Sequence, residues 1–466
     1  MTALDLARLQ FATTTIFHFF FVPLSIGLAF YVAVCQTLHY RTGKDVYARQ
    51  VQFFGKLMLI SFAVGVVTGI IQEFQFGMNW SQYSRFVGDI FGAPLAMEAL
   101  IAFFLESTFL GFWIFAKGRV SPRTHLVSIW LVSIGSALSA FFIIAANSWM
   151  QHPVGYKLVD GKPKLDSIWA VVTNNTAIAA YLHVLLAAAI TGTFVVVGVS
   201  AYQLRKGHEV ELFTRAVKVA MPIMVVGVIG GFLAGDQLAL LLVKQQPMKM
   251  SAAEALFETE GPAAFSIFAT GDFTRDPGST NRNLKIPHLL SVLATRTWDG
   301  EVTGINELER ADLAKYGPNE FGGYVPYVAV IYWSFRTMVY LWTLMLLFAA
   351  FTWWQARKGR LESSRFWQTS AMVMAVSPFV VNTAGWVMTE VGRQPWIVQG
   401  LLQTSEAESP LVTTAQVAST LIGFTLIFTV LGGIALWVFM REVQKGATPG
   451  DREAPPADVP DLTLAY

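Results

Sequence analysis

The chain has 466 residues, of which 54% are hydrophobic and only 14% are charged, and its mean hydropathy is +0.49. A soluble domain carries about 25% charged residues, so this composition excludes a soluble globular protein and favours a helical protein that crosses the bilayer repeatedly. The formal net charge of +2 gives no indication of nucleic-acid binding. The one cysteine, Cys35, excludes disulfides, thiolate zinc sites and iron–sulfur clusters built from this chain alone.

Nine apolar stretches follow one another along the chain, each long enough to cross the hydrocarbon core of a bilayer as an α-helix. The fold prediction is therefore an all-α membrane protein with nine transmembrane helices. Lys and Arg are concentrated in the C-terminal tail and in the loops after the first, third, fifth and seventh stretches. By the positive-inside rule, this distribution places the C-terminus in the cytoplasm and the N-terminus outside. The stretches lie near residues 14–38, 53–77, 94–116, 124–148, 177–203, 215–243, 327–352, 367–389 and 415–440.

The chain has four predicted regions. Residues 1–243 contain six membrane helices, residues 244–326 form a long loop, residues 327–440 contain three membrane helices, and residues 441–466 form a tail. Connections between packed helices are usually about 2–8 residues long, so a functional outer loop is expected here. It begins QQPMKMSAAEALFETEGPAAF, which predicts a short amphipathic helix bearing Lys249 and Glu254. Residues 441–466 form a polar, proline-rich tail that is expected to be disordered in the cytoplasm.

Polar side chains inside the predicted helices gather toward the outer side of the membrane. An ionisable residue is costly there, and it is usually functional or paired. Glu106 follows Glu98 by eight residues, which is about 12 Å along a helix and roughly on the same face. The full set, in chain order, comprises His18, Glu73, Glu98, Glu106, His183, Arg336, Met338, Glu390 and Arg393.

Each of these residues has a simpler interpretation when it is taken alone. An intramembrane His is often a hydrogen-bonded packing residue, and a Met is usually core filler. Acids and bases can form structural ion pairs, interfacial pairs beside anchoring tryptophans, or solvated pairs in a loop. Such pairs would join Glu73 or Glu98 to Arg85 or Arg336, Glu390 to Arg393, and Lys249 to Glu254.

The shared depth of the set is better explained by haem chemistry. Imidazole and thioether groups are axial ligands of low-spin haem, and Met raises its potential. Arg can neutralise a propionate through a bidentate pair. Carboxylates beside an iron can carry protons, or can ligate the iron where His is absent.

Six long stretches give the chain a specific resemblance. It resembles subunit I of the cytochrome bd quinol oxidases along essentially its whole length. The stretches are RLQFATTTIFHFFFVPL, EFQFGMNWSQYSRFVGDIFGAPLAMEALIAFFLES, ANSWMQHPVG, YLHVLLAAAITG, YWSFRTMV and GWVMTEVGRQPW.

The resemblance implies three haems near the outer face. His183 and Met338 would be the axial ligands of low-spin haem b558, with Arg336 beside its propionates. His18 and Glu390 would ligate the two high-spin haems, b595 and d. Which of them holds which haem differs within the family and stays open, with His18 favoured for haem d.

Further positions match the family around these ligands. Glu98 would lie at the iron of the His18 haem, and Trp386 would lie between cofactors, with Arg393 also in the cofactor-binding set. A proton path from the cytoplasm would include Glu106, Ser107, Ser139 and Asn147.

The outer loop resembles the family's quinol loop, with Lys249 and Glu254 as its quinol-site pair. Between this pair and Arg336 the chain is shorter than in the long-loop members, so it resembles the short-loop branch. The resemblance leaves the fold of the loop's C-terminal half undetermined, as well as the choice between menaquinol and ubiquinol.

The implied activity is that of a terminal respiratory oxidase in the bacterial cytoplasmic membrane. Quinol would be oxidised at the outer face, dioxygen would be reduced to water with cytoplasmic protons, and a proton motive force would arise without pumping. The family requires subunit II as a partner, and small accessory subunits stay open. Two other classes remain as alternatives: a transporter or channel, whose acids would bind ions, and a quinone-linked b-type cytochrome without oxygen chemistry.

Overall fold

The computed structural model describes residues 1–273 and 282–447. Within these ranges, nine helical spans are long and apolar enough to cross a membrane, which confirms the predicted all-α membrane fold. In chain order the spans are Ala3–Thr42 (α1), Asp45–Met78 (α2), Ser81–Phe115, Pro122–Gln151 (α5), Asn175–Lys206 (α7), Val210–Gln245 (α8), Val328–Arg357 (α12), Arg365–Val391 and Thr414–Lys445 (α15). The sidedness of the termini remains a prediction.

The spans are longer than the apolar stretches, because capped polar ends extend several of them. At the start of α1, the Thr2 side chain accepts a hydrogen bond from the Asp5 amide, and the Asp5 carboxylate accepts one from the Thr2 amide. This reciprocal cap satisfies amides that have no partner inside the helix. At the other end, Gly43 adopts φ +64°, a left-handed conformation that favours glycine.

Two spans are interrupted. The third consists of α3 (Ser81–Met97), a π-helical turn (Glu98–Phe103) and α4 (Phe104–Phe115). The π-helical turn follows Pro94, which lacks an amide hydrogen and disturbs the helical ladder.

The eighth span consists of α13 (Arg365–Met374) and α14 (Ser377–Val391). Its break precedes Pro378, which lies in the first turn of α14, where the missing amide costs least.

The centre of the bundle is α7, the most buried span, whereas α15 is the least buried. Here α1 crosses α7 with almost no space between the backbones. A Cβ at Gly27 would overlap the Ala188 carbonyl oxygen, and a Cβ at Gly192 would lie 2.5 Å from the Gly27 carbonyl carbon. Glycine at both positions therefore permits the close approach that membrane helices use.

The outer loop is folded in the part that the structure describes. It contains α9 (Pro247–Glu254), the antiparallel strands β3 (Phe265–Thr270) and β4 (Arg282–Ile286), α10 (Leu289–Thr295) and α11 (Ile305–Tyr316). Helix α9 is present as predicted, but it is not amphipathic on a surface, because residues 249–254 are all buried.

The remaining elements are short. They are strands β1 (Tyr156–Val159) and β2 (Lys162–Leu165), α6 (Ile168–Val172), strands β5 (Trp396–Val398) and β6 (Leu402–Gln403), and a 3₁₀ turn at Thr404–Glu406. The last helix runs to Lys445, and most of the predicted tail, residues 448–466, lies outside the described residues.

Gly27→Ala tests the close crossing of α1 and α7. The added methyl overlaps a main-chain oxygen that cannot move freely, so we expect a loss of about 1–3 kcal/mol and a lower thermal unfolding midpoint of the purified protein. The matched control is Gly423→Ala in α15, where a Cβ meets nothing within 4 Å. The control should keep or slightly raise the midpoint. Equal midpoints for both variants would contradict the crossing.

Candidate functional site

His18 on α1 is held by a hydrogen bond to α2. Its Nδ1 lies 2.9 Å from the Thr68 hydroxyl oxygen, and that hydroxyl donates its own hydrogen to the main-chain oxygens of Val64 and Gly65. A hydroxyl has one hydrogen, so when Thr68 donates to its own helix backbone, Nδ1 of His18 is the donor in the bond to Thr68. Nε2 is then left with a free lone pair, the state in which a histidine binds a metal.

The predicted ligand side chains lie over glycines of neighbouring helices. A Cβ at Gly69 would come within 3.1 Å of the His18 ring, and a Cβ at Gly235 within 3.3 Å of the His183 ring. Met338 has a similar neighbour, because a Cβ at Gly385 would lie 3.6 Å from its sulfur. The absent side chains leave room for both rings and for the thioether.

The Glu390 carboxylate, near the end of α14, is surrounded by donors. Asn147 Nδ2 donates to Oε1 at 3.0 Å, and Gln151 Nε2 lies 3.4 Å from the same oxygen. Arg393 Nη2 pairs with Oε2. The Glu390–Arg393 pair that the sequence offered as an alternative is present, and its arginine is only 4% exposed, beside the buried Trp396.

The two acids of the third span both face α5. Ser139 donates to Glu98 at 2.7 Å, and Ser136 donates to Glu106. The two serines are one helical turn apart, which agrees with the expectation that both acids lie on one face. Ser107, in contrast, donates to the main-chain oxygen of Phe103 in its own helix.

Lys249 and Glu254 point to different partners. Lys249 Nζ donates to Gln151 Oε1 at 2.6 Å. Glu254 forms a bidentate pair with Arg336, with Nη2–Oε2 at 2.6 Å and Nη1–Oε1 at 3.3 Å. Both side chains are buried, so the alternative of a solvated Lys249–Glu254 pair is wrong.

Burial shifts the pKa of both groups on α9 toward the neutral form. It lowers the pKa of Lys249 to about 7; the charge of Arg393 acts in the same direction, and that of Glu390 opposes it. Burial also raises the pKa of Glu254, although Arg336 and the Ser266 amide act against this shift.

Arg336 is enclosed by aromatic rings. Its guanidinium carbon lies 4.5 Å from the centroid of Phe265, 4.6 Å from that of Tyr332 and 5.0 Å from that of Phe335. These contacts supply cation–π attraction in a water-free setting. The sequence had offered an ion pair between Arg336 and Glu73 or Glu98 as an alternative. Among the described residues, Arg336 instead forms its ion pair with Glu254.

The residues present fit haem as the implied cofactor. The predicted ligands are half-buried, so each has an open side. Several buried nitrogens have no hydrogen-bond partner among the described residues, as expected for groups that serve a further ligand. Trp386 lies edge-on to Phe19, with ring centroids 5.2 Å apart, beside the His18 helix. The unpartnered nitrogens are His183 Nδ1, Arg336 Nε, Arg393 Nε and Arg393 Nη1.

Sequence analysis missed three polar partners at the site: Thr68, Ser136 and Gln151. Two of them had a detectable signal, because Ser136 and Gln151 lie on the same helical face as the singled-out Ser139 and Asn147. Thr68 had none, since Thr is common in membrane helices and usually bonds to its own backbone.

Known proteins match this chain over nearly its whole length. A sequence model of the family "Cytochrome bd terminal oxidase subunit I" matches residues 6–447. The chain is 46% identical over 449 residues to "Cytochrome bd ubiquinol oxidase subunit 1" of Bacillus subtilis, covering 96% of this chain and 95% of the relative. It is 35% identical to "Cytochrome bd-II ubiquinol oxidase subunit 1" of Escherichia coli, covering 97% of this chain and 98% of the relative. A solved bd oxidase from Geobacillus thermodenitrificans is similar at a TM-score of 0.86 and 27% identity, covering 96% and 99% of the two chains.

Ser136→Ala tests whether Glu106 depends on α5. The substitution leaves a buried carboxyl group without its donor, so we expect a loss of about 1–3 kcal/mol, measured as a lower thermal unfolding midpoint. Ser107→Ala is the matched control, because its hydroxyl serves only its own helix backbone and its loss should cost within about 0.5 kcal/mol. A larger loss in the control than in Ser136→Ala would refute the assignment.

Proposed function

This chain belongs to the cytochrome bd terminal oxidase subunit I family, and we propose that it carries the haems of an enzyme that oxidises quinol and reduces dioxygen to water. Family membership makes the chain a subunit of a membrane-bound oxidoreductase that uses haem. One observation carries the finer proposal. Helix α9 contacts the predicted haem residues at two places. Glu254 pairs with Arg336, and Lys249 donates a hydrogen bond to Gln151, which lies beside Glu390.

The haem-binding roles follow from the side chains and the resemblance. His183 and Met338 would hold haem b558, and His18 and Glu390 would hold the high-spin haems b595 and d. When bound, the haems supply the electron transfer that links quinol to dioxygen. His18 supports this role because its bond to Thr68 uses Nδ1 and leaves Nε2 for a ligand.

Two arginines suit the propionate groups of such haems. Arg336 and Arg393 are both buried, and both keep N–H groups that have no partner among the described residues. Propionates are anionic acceptors that would satisfy these donors through charge-assisted hydrogen bonds.

Quinol oxidation releases two protons, and α9 provides the groups to handle them. Burial raises the pKa of the Glu254 carboxyl group, which favours its protonated form and suits it to accept a proton from quinol. Lys249 Nζ donates to Gln151, and a protonated lysine has two further N–H groups that can bind a quinol oxygen. The relatives carry both ubiquinol and menaquinol in their names, and the proposal here is a quinol of either ring type.

Protons for water formation would approach along α5. This helix presents Ser136 to Glu106 and Ser139 to Glu98, followed by Asn147 at Glu390. The order leads from deeper in the membrane toward the outer site. If quinol protons leave outside while water protons come from the cytoplasm, a proton motive force arises without pumping.

The proposed setting is the bacterial cytoplasmic membrane, in a complex with subunit II. The nine spans require a bilayer, and the positive-inside rule places the outer loop away from the cytoplasm.

Met338→Leu tests the low-spin haem. Leucine matches the shape of methionine but has no sulfur to donate, so the low-spin b band should disappear from the reduced absorption spectrum while the high-spin bands survive. Met345→Leu, in the buried core of the same helix, is the control and should keep every band, because such swaps usually cost less than about 1.5 kcal/mol. A wild-type spectrum for Met338→Leu would exclude Met338 as a ligand.

Glu254→Gln tests the proton acceptor. Glutamine keeps one oxygen that can accept a hydrogen bond from Arg336, but it has no negative charge and cannot take a proton. Quinol-driven oxygen consumption should fall about 100-fold, whereas oxygen consumption driven by an artificial electron donor should persist. The control is Glu260→Gln, which removes a surface pair with Lys285 and should change little. Normal quinol turnover in Glu254→Gln would rule out this role.

A further inference from the structure

Gln151, the last residue of α5, is buried and uses both ends of its side-chain amide. Its Oε1 accepts the hydrogen bond from Lys249, and its Nε2 lies 3.4 Å from Glu390 Oε1 and 3.4 Å from Asn147 Oδ1. Its main-chain oxygen accepts a hydrogen bond from Gln246 Nε2 at 2.7 Å. One neutral side chain therefore joins the outer-loop helix to the carboxylate at the end of α14.

The chemistry of the partners determines the orientation of the amide. An ammonium group can only donate, and an ionised carboxylate can only accept. The amide oxygen must therefore face Lys249, and the amide nitrogen must face Glu390. A flipped amide would place a donor against a donor at one end and an acceptor against an acceptor at the other.

Lys249 depends on this amide for its position. Among the described residues, the Lys249 ammonium group donates its side-chain hydrogen bond to Gln151 and has no carboxylate within ion-pair distance. The nearby Glu390 pairs with Arg393. A Cβ at Gly392 would lie 2.6 Å from Lys249 Cγ, so the lysine stem also packs directly on the chain that follows Glu390. The hydrogen bond and the packing contact both connect Lys249 to the Glu390 region.

We propose that Gln151 is a positioning residue that couples the quinol-binding pocket at Lys249 to the ligand carboxylate Glu390. The coupling rests on the proposed function of these two residues. A change at Lys249 is passed to Glu390 through the oriented amide, because moving its oxygen also moves its nitrogen. Binding of quinol at Lys249 would thus alter the hydrogen bonding of a haem ligand.

Gln151→Leu in the full complex is the primary test. Leucine has a similar size but neither donor nor acceptor. We expect the KM for quinol to rise about tenfold, as for the loss of one hydrogen bond to a charged group. The absorption band and midpoint potential of the haem held by Glu390 should shift as well. The control is Gln368→Leu, at a buried glutamine whose amide bonds to the main-chain oxygens of Leu361 and Glu362, and it should leave KM, band and potential unchanged.

Two further variants separate the ends of the amide. Gln151→Glu keeps an oxygen for Lys249 but replaces the donor to Glu390 with a second carboxylate oxygen, so KM should stay near the wild-type value while the haem signal shifts. Lys249→Met should raise KM and also shift the haem signal without touching Glu390. These variants serve equally well if Gln151→Leu fails to accumulate.

The outcomes distinguish a failure of the coupling between Lys249 and Glu390 from a failure of the proposed quinol pocket. A Lys249→Met protein with unchanged quinol KM overturns the proposed quinol pocket itself. A Lys249→Met protein with raised KM but an unshifted haem signal leaves the pocket intact and overturns the coupling. Gln151→Leu with a change in only one of the two signals also overturns the coupling.

Discussion

Carboxylates inside an apolar bundle need partners, and one face of α5 provides most of them. Charged groups are costly in the membrane unless they are neutralised, paired or hydrogen-bonded. Ser136, Ser139, Asn147 and Gln151 repeat at spacings that keep them on one side of the helix. They contact acids on two different spans, namely Glu106, Glu98 and Glu390. The site therefore depends on a helix that supplies none of the predicted haem ligands.

Helix α9 extends this arrangement into the outer loop. Its two ionisable side chains, five residues apart, point to different partners instead of to each other. The chain on either side is tied down, because Gln246 bonds to the end of α5 and the Ser266 amide donates to Glu254. Burial then shifts the pKa of each group toward its neutral form. A substrate that exchanges protons would meet two groups whose burial favours their neutral forms.

The sequence predicted the spans and the outer cluster because both depend on local composition. Apolar length decides a span, and the cost of buried charge explains why His18, Glu98 and Glu390 stand out. The partners were harder to predict, because contacts between helices depend on rotation and axial register. Lys249 and Glu254 illustrate the limit: their spacing suggested a pair, whereas the packing of α9 against α5 and α12 separates them. The π-helical turn at Glu98–Phe103 is another case, since a proline signals a disturbance but not its form.

The charges around α9 favour an anionic ligand. Lys249, Arg336 and Arg393 supply three cations, and Glu254 and Glu390 supply two carboxylates, so the cluster carries one excess positive charge when all five groups are ionised. The excess lies near Lys249 and Arg393, and it contributes to the lowered pKa of Lys249. Within the part of the chain that the structure describes, two nitrogens of Arg393 have no partner at this end, and one nitrogen of Arg336 has none at the other. An anion held by Arg393 would offset the excess charge and raise the pKa of Lys249.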